Sequence, residues 1–83
     1  MNGSNTTIKI NRIKAGERIS HALKDVGISD SELSSRLGVS RPAISSWKNG
    51  RYYPSIENLI MLSDITSYPV EYFIPVIRGV PRY

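Results

Sequence analysis

Residues that start and stop helices follow one another closely in the middle of the chain. Ser29 and Glu32 form a capping box, in which the serine oxygen accepts from the backbone NH three residues on and the glutamate reaches back. Gly38 ends this helix, Ser40 caps the next one, and Asn49–Gly50 ends that in turn. The sequence therefore predicts two short helices joined by a turn of about three or four residues, which lets the second helix protrude from a compact body.

Apolar residues recur at helical spacing on both sides of this pair. A first helix is expected to begin after Asn11 and to end at Gly27, with an apolar stripe of Ala15, Ile19, Ala22, Leu23 and Val26. A fourth helix follows the cap Ser55, and a fifth follows Pro69 with Val70, Phe73, Ile74 and Ile77. The fourth is apolar around most of its circumference, which predicts the central buried element with Met61 in the core, alongside Ile56, Leu59, Ile60, Leu62 and Ile65.

These elements predict an all-α fold of five short helices around one core. At 83 residues the chain is long enough for a single domain and a single modest core. We expect a flexible N-terminal arm over residues 1–10, the helical domain over 11–78 and a C-terminal tail over 79–83. The second and third helices are expected to face the core with Leu33, Leu37, Ile44 and Trp47.

Catalytic and metal chemistry find no support in the composition. The chain has no cysteine and one histidine, His21, which is expected on a helix surface and makes no metal site alone. No spacing of its serines and that histidine forms a nucleophile, base and orienting group, and no glycine loop for phosphate is present. We therefore expect neither an enzyme nor a cofactor.

The sequence also indicates where such a protein is found. Residues 1–7 lack the basic and apolar layout of a signal peptide, and no apolar run approaches the roughly 20 residues that span a bilayer. A soluble cytoplasmic protein without a membrane partner is the expectation.

Basic residues are concentrated in the middle of the chain. The net charge of +4 and pI of about 9.7 suit a polyanionic partner. Four of the cations lie between residues 36 and 51, namely Arg36, Arg41, Lys48 and Arg51. The outer face of the third helix carries no acidic residue, and a protruding helix fits the DNA major groove, about 12 Å wide, with its N-terminal residues at the base edges. Double-stranded DNA is therefore the expected partner.

At this point the chain resembles the Cro and phage-repressor type of helix-turn-helix family. The resemblance rests on Leu33-Ser34-(x)2-Leu37-Gly38-Val39-Ser40-Arg41-(x)2-Ile44-Ser45-(x)-Trp47-(x)2-Gly50, followed by Pro54 and the apolar fourth helix, and covers roughly residues 12–77. It implies a lambda-repressor-like fold and a sequence-specific DNA-binding transcriptional regulator. Two positions depart from the family pattern. Asp30 stands where the family has a glutamine that binds a phosphate, and an aspartate would repel that phosphate. Ser34 stands where the family has an alanine, which is of similar small size.

The resemblance implies roles for individual residues. The positions that match base-reading residues are Arg41, Pro42, Ser45 and Ser46. An arginine there can donate to guanine O6 and N7, whereas a proline offers only apolar contact. The positions expected to contact phosphates, and thereby to fix register without reading sequence, are Ser40, Lys48, Asn49, Arg51 and Tyr52. Trp47 is expected to pack in the core and not to stack on a base.

A regulator that binds a palindromic operator as a homodimer is the function expected, because one recognition helix reads only a few base pairs. By resemblance this is a Cro-like or small repressor of a phage or other mobile element, either phage-encoded or associated with the bacterial nucleoid. The expected dimer contacts are the fifth helix and an apolar tail of Val76, Ile77, Val80 and Tyr83. Two alternatives involve a protein partner: an autoregulatory antitoxin, and a protein-interaction module that uses the same fold without DNA.

Overall fold

The computed structural model describes residues 7–79, which form four α-helices, one 3-10 turn and two short strands. The helices are α1 (Arg12–Val26), α2 (Asp30–Leu37), α3 (Arg41–Lys48) and α4 (Ile56–Thr66), and the 3-10 turn is Val70–Phe73. The strands, β1 (Ile8–Ile10) and β2 (Val76–Arg78), lie at the two ends of the described chain.

Each α-helix begins where the sequence predicts a polar cap. The side-chain oxygens of Asn11, Ser29, Ser40 and Ser55 accept from the backbone NH three residues on, at 3.0–3.2 Å. Only the serine half of the capping box forms. The carboxylate of Glu32 accepts from the Arg36 guanidinium at 2.9 Å, one turn further on, and does not return to Ser29.

The central element of the core is α1, not α4. It packs against α3, α4 and the 3-10 turn, and the buried cluster consists of Ile19, Ala22, Leu23, Leu33, Ile44, Trp47, Leu59, Leu62 and Phe73. The predicted burial of Trp47 is confirmed, and His21 is exposed as expected.

The prediction that α4 is the central buried helix with Met61 in the core is wrong. Ile56, Ile60 and Met61 are 59%, 57% and 39% exposed. Because α4 packs on one side only, it buries the single stripe that contains Leu59 and Leu62, with Ile65 half-buried beside it, while Ile56, Ile60 and Met61 face outward. Val26, placed in the stripe of α1, is likewise exposed at the last turn of its helix.

The predicted fifth α-helix is a single 3-10 turn, so the count of five α-helices is not confirmed. The turn ends at Phe73, and Ile74 leaves the helical region at φ −121° and ψ 59°. Pro75 explains this end, because a proline disfavours the α conformation at the residue before it and supplies no NH of its own. Phe73 is nevertheless fully buried, and Ile77 lies in β2.

A two-stranded antiparallel sheet, here called the ribbon, joins the two ends of the described chain. Strand β1 pairs with β2 in the register Ile8 with Arg78, Lys9 with Ile77 and Ile10 with Val76. Residues 8–10 were predicted to lie in a flexible arm, and their pairing in the ribbon corrects this part of the prediction. The remainder of the arm, residues 1–6, and Val80 and Tyr83 of the tail lie outside the described residues.

Hydrogen bonds that involve tyrosine residues hold the C-terminal segment to the rest of the domain. The Tyr53 hydroxyl donates to the Phe73 carbonyl at 2.6 Å, and burial raises the pKa of Tyr53. The Arg18 guanidinium donates to the Tyr72 carbonyl at 3.1 Å and lies 5.2 Å from the centre of the Tyr72 ring. On the surface, the Tyr68 hydroxyl donates to Asp25 at 2.8 Å, and this carboxylate raises the pKa of Tyr68.

Candidate nucleic-acid interface

A tight turn sets the direction of α3 relative to α2. Gly38 adopts φ 68°, a left-handed conformation that suits glycine, and its NH donates to the Ser34 carbonyl at 3.0 Å. The Ser34 hydroxyl donates in turn to the Val39 carbonyl and so closes the turn from the other side. The sequence predicted Ser34 only as a small residue, and this hydrogen bond was not predicted.

The inner face of α3 is anchored in the core, which leaves the opposite face to solvent. Ile44 and Trp47 are 0% and 6% exposed. Of the four predicted base-reading residues, Arg41, Pro42 and Ser45 lie on the exposed face, whereas Ser46 is half-buried. The structure thus brings three of them together on the solvent side and places Ser46 at its border.

A glycine that the sequence analysis did not single out determines how closely α3 approaches α1. Gly16 is buried in the middle of α1, and a β-carbon built there would lie 2.6 Å from the Trp47 carbonyl oxygen, with the Lys48 carbonyl also too close. Any side chain at this position therefore collides with the backbone at the end of α3. The available signal was a glycine in the interior of an otherwise regular apolar helix, where glycine is unfavourable unless packing requires it.

Lys48 is engaged by an acidic residue of α2. Its ammonium donates to both carboxylate oxygens of Asp30, at 2.9 and 3.2 Å, and both side chains are partly exposed. From the sequence, Lys48 was expected to contact phosphate and Asp30 to repel it, and the ion pair between them was not predicted. The ion pair joins the first turn of α2 to the last turn of α3.

The remaining cations of the basic cluster differ in their surroundings. Arg36 forms an ion pair with Glu32 on α2. Within residues 7–79, neither Arg41 nor Arg51 forms an ion pair, and both side chains are exposed. Arg41 is the first residue of α3 and Arg51 lies just after its end, so these two cations of the basic cluster bracket the helix.

The other predicted phosphate contacts lie at the two ends of α3. At the start, the Ser40 oxygen caps the helix. At the end, the Asn49 side chain accepts from the Arg51 NH at 3.0 Å, and the Ser46 carbonyl accepts from the NH groups of Arg51 and Tyr52. These bonds fix the turn that carries Arg51, and the Tyr52 ring beside it is 62% exposed.

No α-helix within residues 7–79 is long and apolar enough to cross a bilayer. The same part of the chain brings together no group of three or more metal-ligating side chains of the histidine, cysteine or carboxylate type.

The helical fold that carries α3 is similar to that of known proteins. A sequence profile described as helix-turn-helix matches residues 19–73. The P22 c2 repressor, solved with a synthetic operator, is 35% identical with a TM-score of 0.67, over 72% of this chain and 91% of that one. No curated protein sequence matches the chain.

Two further structures share the fold at lower identity. The restriction-modification controller protein C.AhdI from Aeromonas hydrophila is 19% identical with a TM-score of 0.66, over 75% of this chain and 94% of that one. The DNA-binding domain of BldD from S. venezulae is 16% identical with a TM-score of 0.65, over 78% and 97%. The profile match spans more than half of the 83 residues. The chain therefore belongs to the helix-turn-helix family of DNA-binding transcription regulators.

Proposed function

We propose that this protein is a sequence-specific repressor that binds a palindromic operator as a homodimer, with α3 in the major groove. The observation that carries the proposal is the outer face of α3, which is exposed, free of acidic residues and headed by Arg41 without an ion pair among the described residues. The 35% identity to a repressor solved with its operator supports the same function.

Arg41, Pro42 and Ser45 are the base-reading residues of this proposal. They lie in the first half of α3, and this end of a recognition helix is the part that contacts base edges. The arginine donates to guanine O6 and N7, and the proline contacts a thymine methyl. Ser46 is half-buried and lies at the margin of the contact.

Phosphate contacts are assigned to the residues at the two ends of α3. Ser40 precedes the helix, and Asn49, Arg51 and Tyr52 follow it in a turn fixed by backbone hydrogen bonds. Such contacts orient α3 in the groove and carry most of the salt dependence of binding.

The dimer and the palindrome are proposed because one recognition helix contacts too few base pairs to specify an operator by itself. A single recognition helix contacts only a few base pairs, and two-fold dimers add a second half-site about 10 base pairs away. The likeness to the P22 c2 repressor supports a phage or other mobile element as the source of the gene. Selection of bound sequences from a random duplex pool tests the proposal, because a recovered palindrome requires sequence reading by a symmetric dimer.

Arg41→Ala is expected to relax sequence preference at one base position in each half-site. Loss of a bidentate arginine contact costs about 1–3 kcal/mol of discrimination, equal to a factor of about 5 to 150. The measurement is a titration of the natural protein and of Arg41→Ala with the selected duplex and with duplexes that carry one base-pair substitution. Binding to unrelated duplexes should change little.

Arg51→Ala is the matched control, since it removes another exposed arginine without an ion pair among the described residues. It should weaken binding to all duplexes and reduce the slope of log affinity against log salt by about one unit. Unchanged base preference in Arg41→Ala would show that another face of the domain reads the sequence.

Asp30→Asn is expected to tighten binding to DNA of any sequence. The ion pair with Asp30 holds the Lys48 ammonium at the surface, and a partly exposed pair of this kind contributes at most about 1 kcal/mol to stability. Neutralising the carboxylate frees the ammonium for a phosphate, and the salt slope should steepen by about one unit. Fluorescence anisotropy at several salt concentrations measures this.

Glu32→Gln is the control for net charge, because it removes one negative charge from the same helix and breaks the exposed pair with Arg36. It should steepen the slope less than Asp30→Asn. Equal effects of the two variants would mean that the release of Lys48 counts for no more than the release of Arg36.

A further inference from the structure

We infer that a second group of phosphate contacts lies outside the helix-turn-helix, where β1 joins α1, and that Lys9 and Arg12 bind the DNA backbone there beside Arg51. These three residues are here called the junction cluster. The profile match begins at residue 19, so the matched region does not include Lys9 or Arg12. The inference rests on the proposed function in one respect, the contact of Arg51 with phosphate.

Close backbone packing brings the start of α1 next to the turn that follows α3. Gly50 adopts φ 80°, and a β-carbon built on it would lie 3.0 Å from the Ile13 α-carbon and 3.1 Å from the Ile13 nitrogen. Arg12 precedes Ile13 in the chain, and Arg51 follows Gly50. Since each arginine is one residue from this contact, their α-carbons are no more than about 12 Å apart.

Lys9 and Arg12 border the same cavity. Together with Ile10 and Tyr53 they line a space of about 300 Å³, formed by β1, the first residue of α1 and the connector that follows α3. The Tyr53 hydroxyl donates to the Phe73 carbonyl and is therefore already engaged. The polar groups that these four side chains can still offer a ligand are an ammonium and a guanidinium, and the rest of their surface is apolar.

Acidic residues are absent from both stretches of chain that meet at this junction. Residues 7–16 contain three cations and no carboxylate, and the same is true of residues 38–56. Lys14 pairs with Glu17 at 3.3 Å. Within residues 7–79, no member of the junction cluster forms an ion pair, and all three side chains are exposed. Uncompensated positive charge is thus concentrated here, and it attracts a polyanion.

The backbone of duplex DNA has the chemistry that fits this cavity. Its phosphate oxygens suit the two cations, and the carbon atoms of deoxyribose suit the Ile10 side chain and the Tyr53 ring. Continuity with Arg51 favours DNA over an anionic lipid or an acidic peptide. Phosphates recur about every 3.4 Å of helix axis on each strand, so Arg12 reaches a phosphate close to the one that Arg51 contacts.

The ribbon holds the junction in place before DNA binds. Lys9 is paired with Ile77, and the Asn11 NH donates to the Pro75 carbonyl at 2.7 Å. The Asn11 side chain also caps α1, so the backbone on both sides of Lys9 and Arg12 is fixed. A fixed backbone loses less conformational entropy on binding than a disordered arm does. The junction cluster therefore adds affinity for DNA of any sequence and does not read bases.

Arg12→Ala tests the contact directly. It should reduce the slope of log affinity against log salt by about one unit, and it should weaken binding about fivefold to tenfold near 0.1 M salt. Lys9→Ala should lower the slope in the same direction. The measurement is fluorescence anisotropy with a labelled duplex of mixed sequence at several salt concentrations. Base preference on the selected duplex should not change, because the contact is to the backbone.

Lys24→Ala is the matched control. Lys24 is exposed, forms no ion pair among the described residues and lies in the last turn of the same helix. It is about 18 Å along the helix axis from Arg12. The variant removes the same net charge and should leave the slope nearly unchanged. Equal slopes for Lys24→Ala and Arg12→Ala would overturn the inference, because net charge alone would then account for the effect.

Duplexes with single neutral phosphates locate the contact. Methylphosphonates are placed one at a time in the duplex selected from the random pool. We expect one position at which neutralisation weakens binding of the natural protein but not of Arg12→Ala. The position that depends in the same way on Arg51 should lie within about four nucleotides of it along the helix axis. If Arg12→Ala responds to every methylphosphonate as the natural protein does, the junction cluster does not contact DNA.

The two kinds of duplex separate this inference from the proposed function. A smaller salt slope of Arg12→Ala on the mixed-sequence duplex, in a protein that selects no palindrome, would support the junction contact and contradict the sequence-specific repressor. Recovery of a palindrome, together with a natural salt slope for Arg12→Ala, would support the repressor and overturn the junction contact.

Discussion

Gly16→Ala should destabilise the protein by about 2–3 kcal/mol, although alanine is the better helix former by about 1 kcal/mol. The added β-carbon would lie 2.6 Å from the Trp47 carbonyl oxygen, and backbone atoms have no rotamer by which to move away. The only relief is to separate α1 from α3, which opens the core at the residues between them. Urea unfolding followed by far-UV circular dichroism measures the effect.

The same substitution should also weaken DNA recognition, since the displaced carbonyls belong to the last turn of α3. Glu17→Ala, at the adjacent exposed position of α1, is the control and should change the free energy of unfolding by less than about 0.5 kcal/mol. A Gly16→Ala protein as stable as the natural one would show that α1 and α3 do not approach as described.

Phe73→Ala should cost about 3–5 kcal/mol of stability, the usual range for deleting a fully buried aromatic side chain. Phe73 is 0% exposed and contacts the rings of Tyr68 and Tyr72. Its backbone carbonyl is also the acceptor for Tyr53, so a collapse around the cavity would disturb the connector that follows α3. For a domain of this size, each kcal/mol lowers the melting temperature by about 4–8 °C.

Ile56→Ala is the control for that experiment. It removes a similar kind of apolar side chain, but one that is 59% exposed, and the melting temperature should scarcely change. A large effect of Ile56→Ala would instead restore the prediction that α4 is the central buried helix.

Local signals in the sequence predicted local structure well. The four α-helices begin at the predicted caps, because a serine or asparagine side chain acts on a backbone NH only three residues away. The inward positions of Ile44 and Trp47 followed in the same way from helical spacing. These features depend on neighbours in the chain, and the sequence displays such neighbours directly.

Features that depend on distant partners were not predicted. Hydrophobicity around α4 indicated burial, yet the number of elements that pack on it decides which residues are covered, and Ile60 faces outward. Pro75 lies next to Ile74 in the chain, but the prediction of a fifth helix rested on apolar spacing and took no account of it. Pairing of β1 with β2 joins segments that are far apart in the sequence, and the residues of neither strand indicate which segment is its partner.

The candidate site shows the same division. The exposed positions of Arg41, Pro42 and Ser45 followed from the helical repeat of α3. The engagement of Lys48 by Asp30 did not, since 18 residues separate the two in the chain. The sequence alone therefore does not show whether a cation in a basic cluster is free to bind phosphate or already forms an ion pair within the protein.

The ribbon also bears on the order in which the protein is made. The hydrogen bond between Gly79 and Thr7 closes a loop that contains all four helices, so it forms only after all of residues 7–79 have left the ribosome. The helices before it depend on contacts nearer in sequence and can pack earlier during translation. A messenger truncated before the codon for Val76 would thus yield a helical body that carries α3 but has no closing strand.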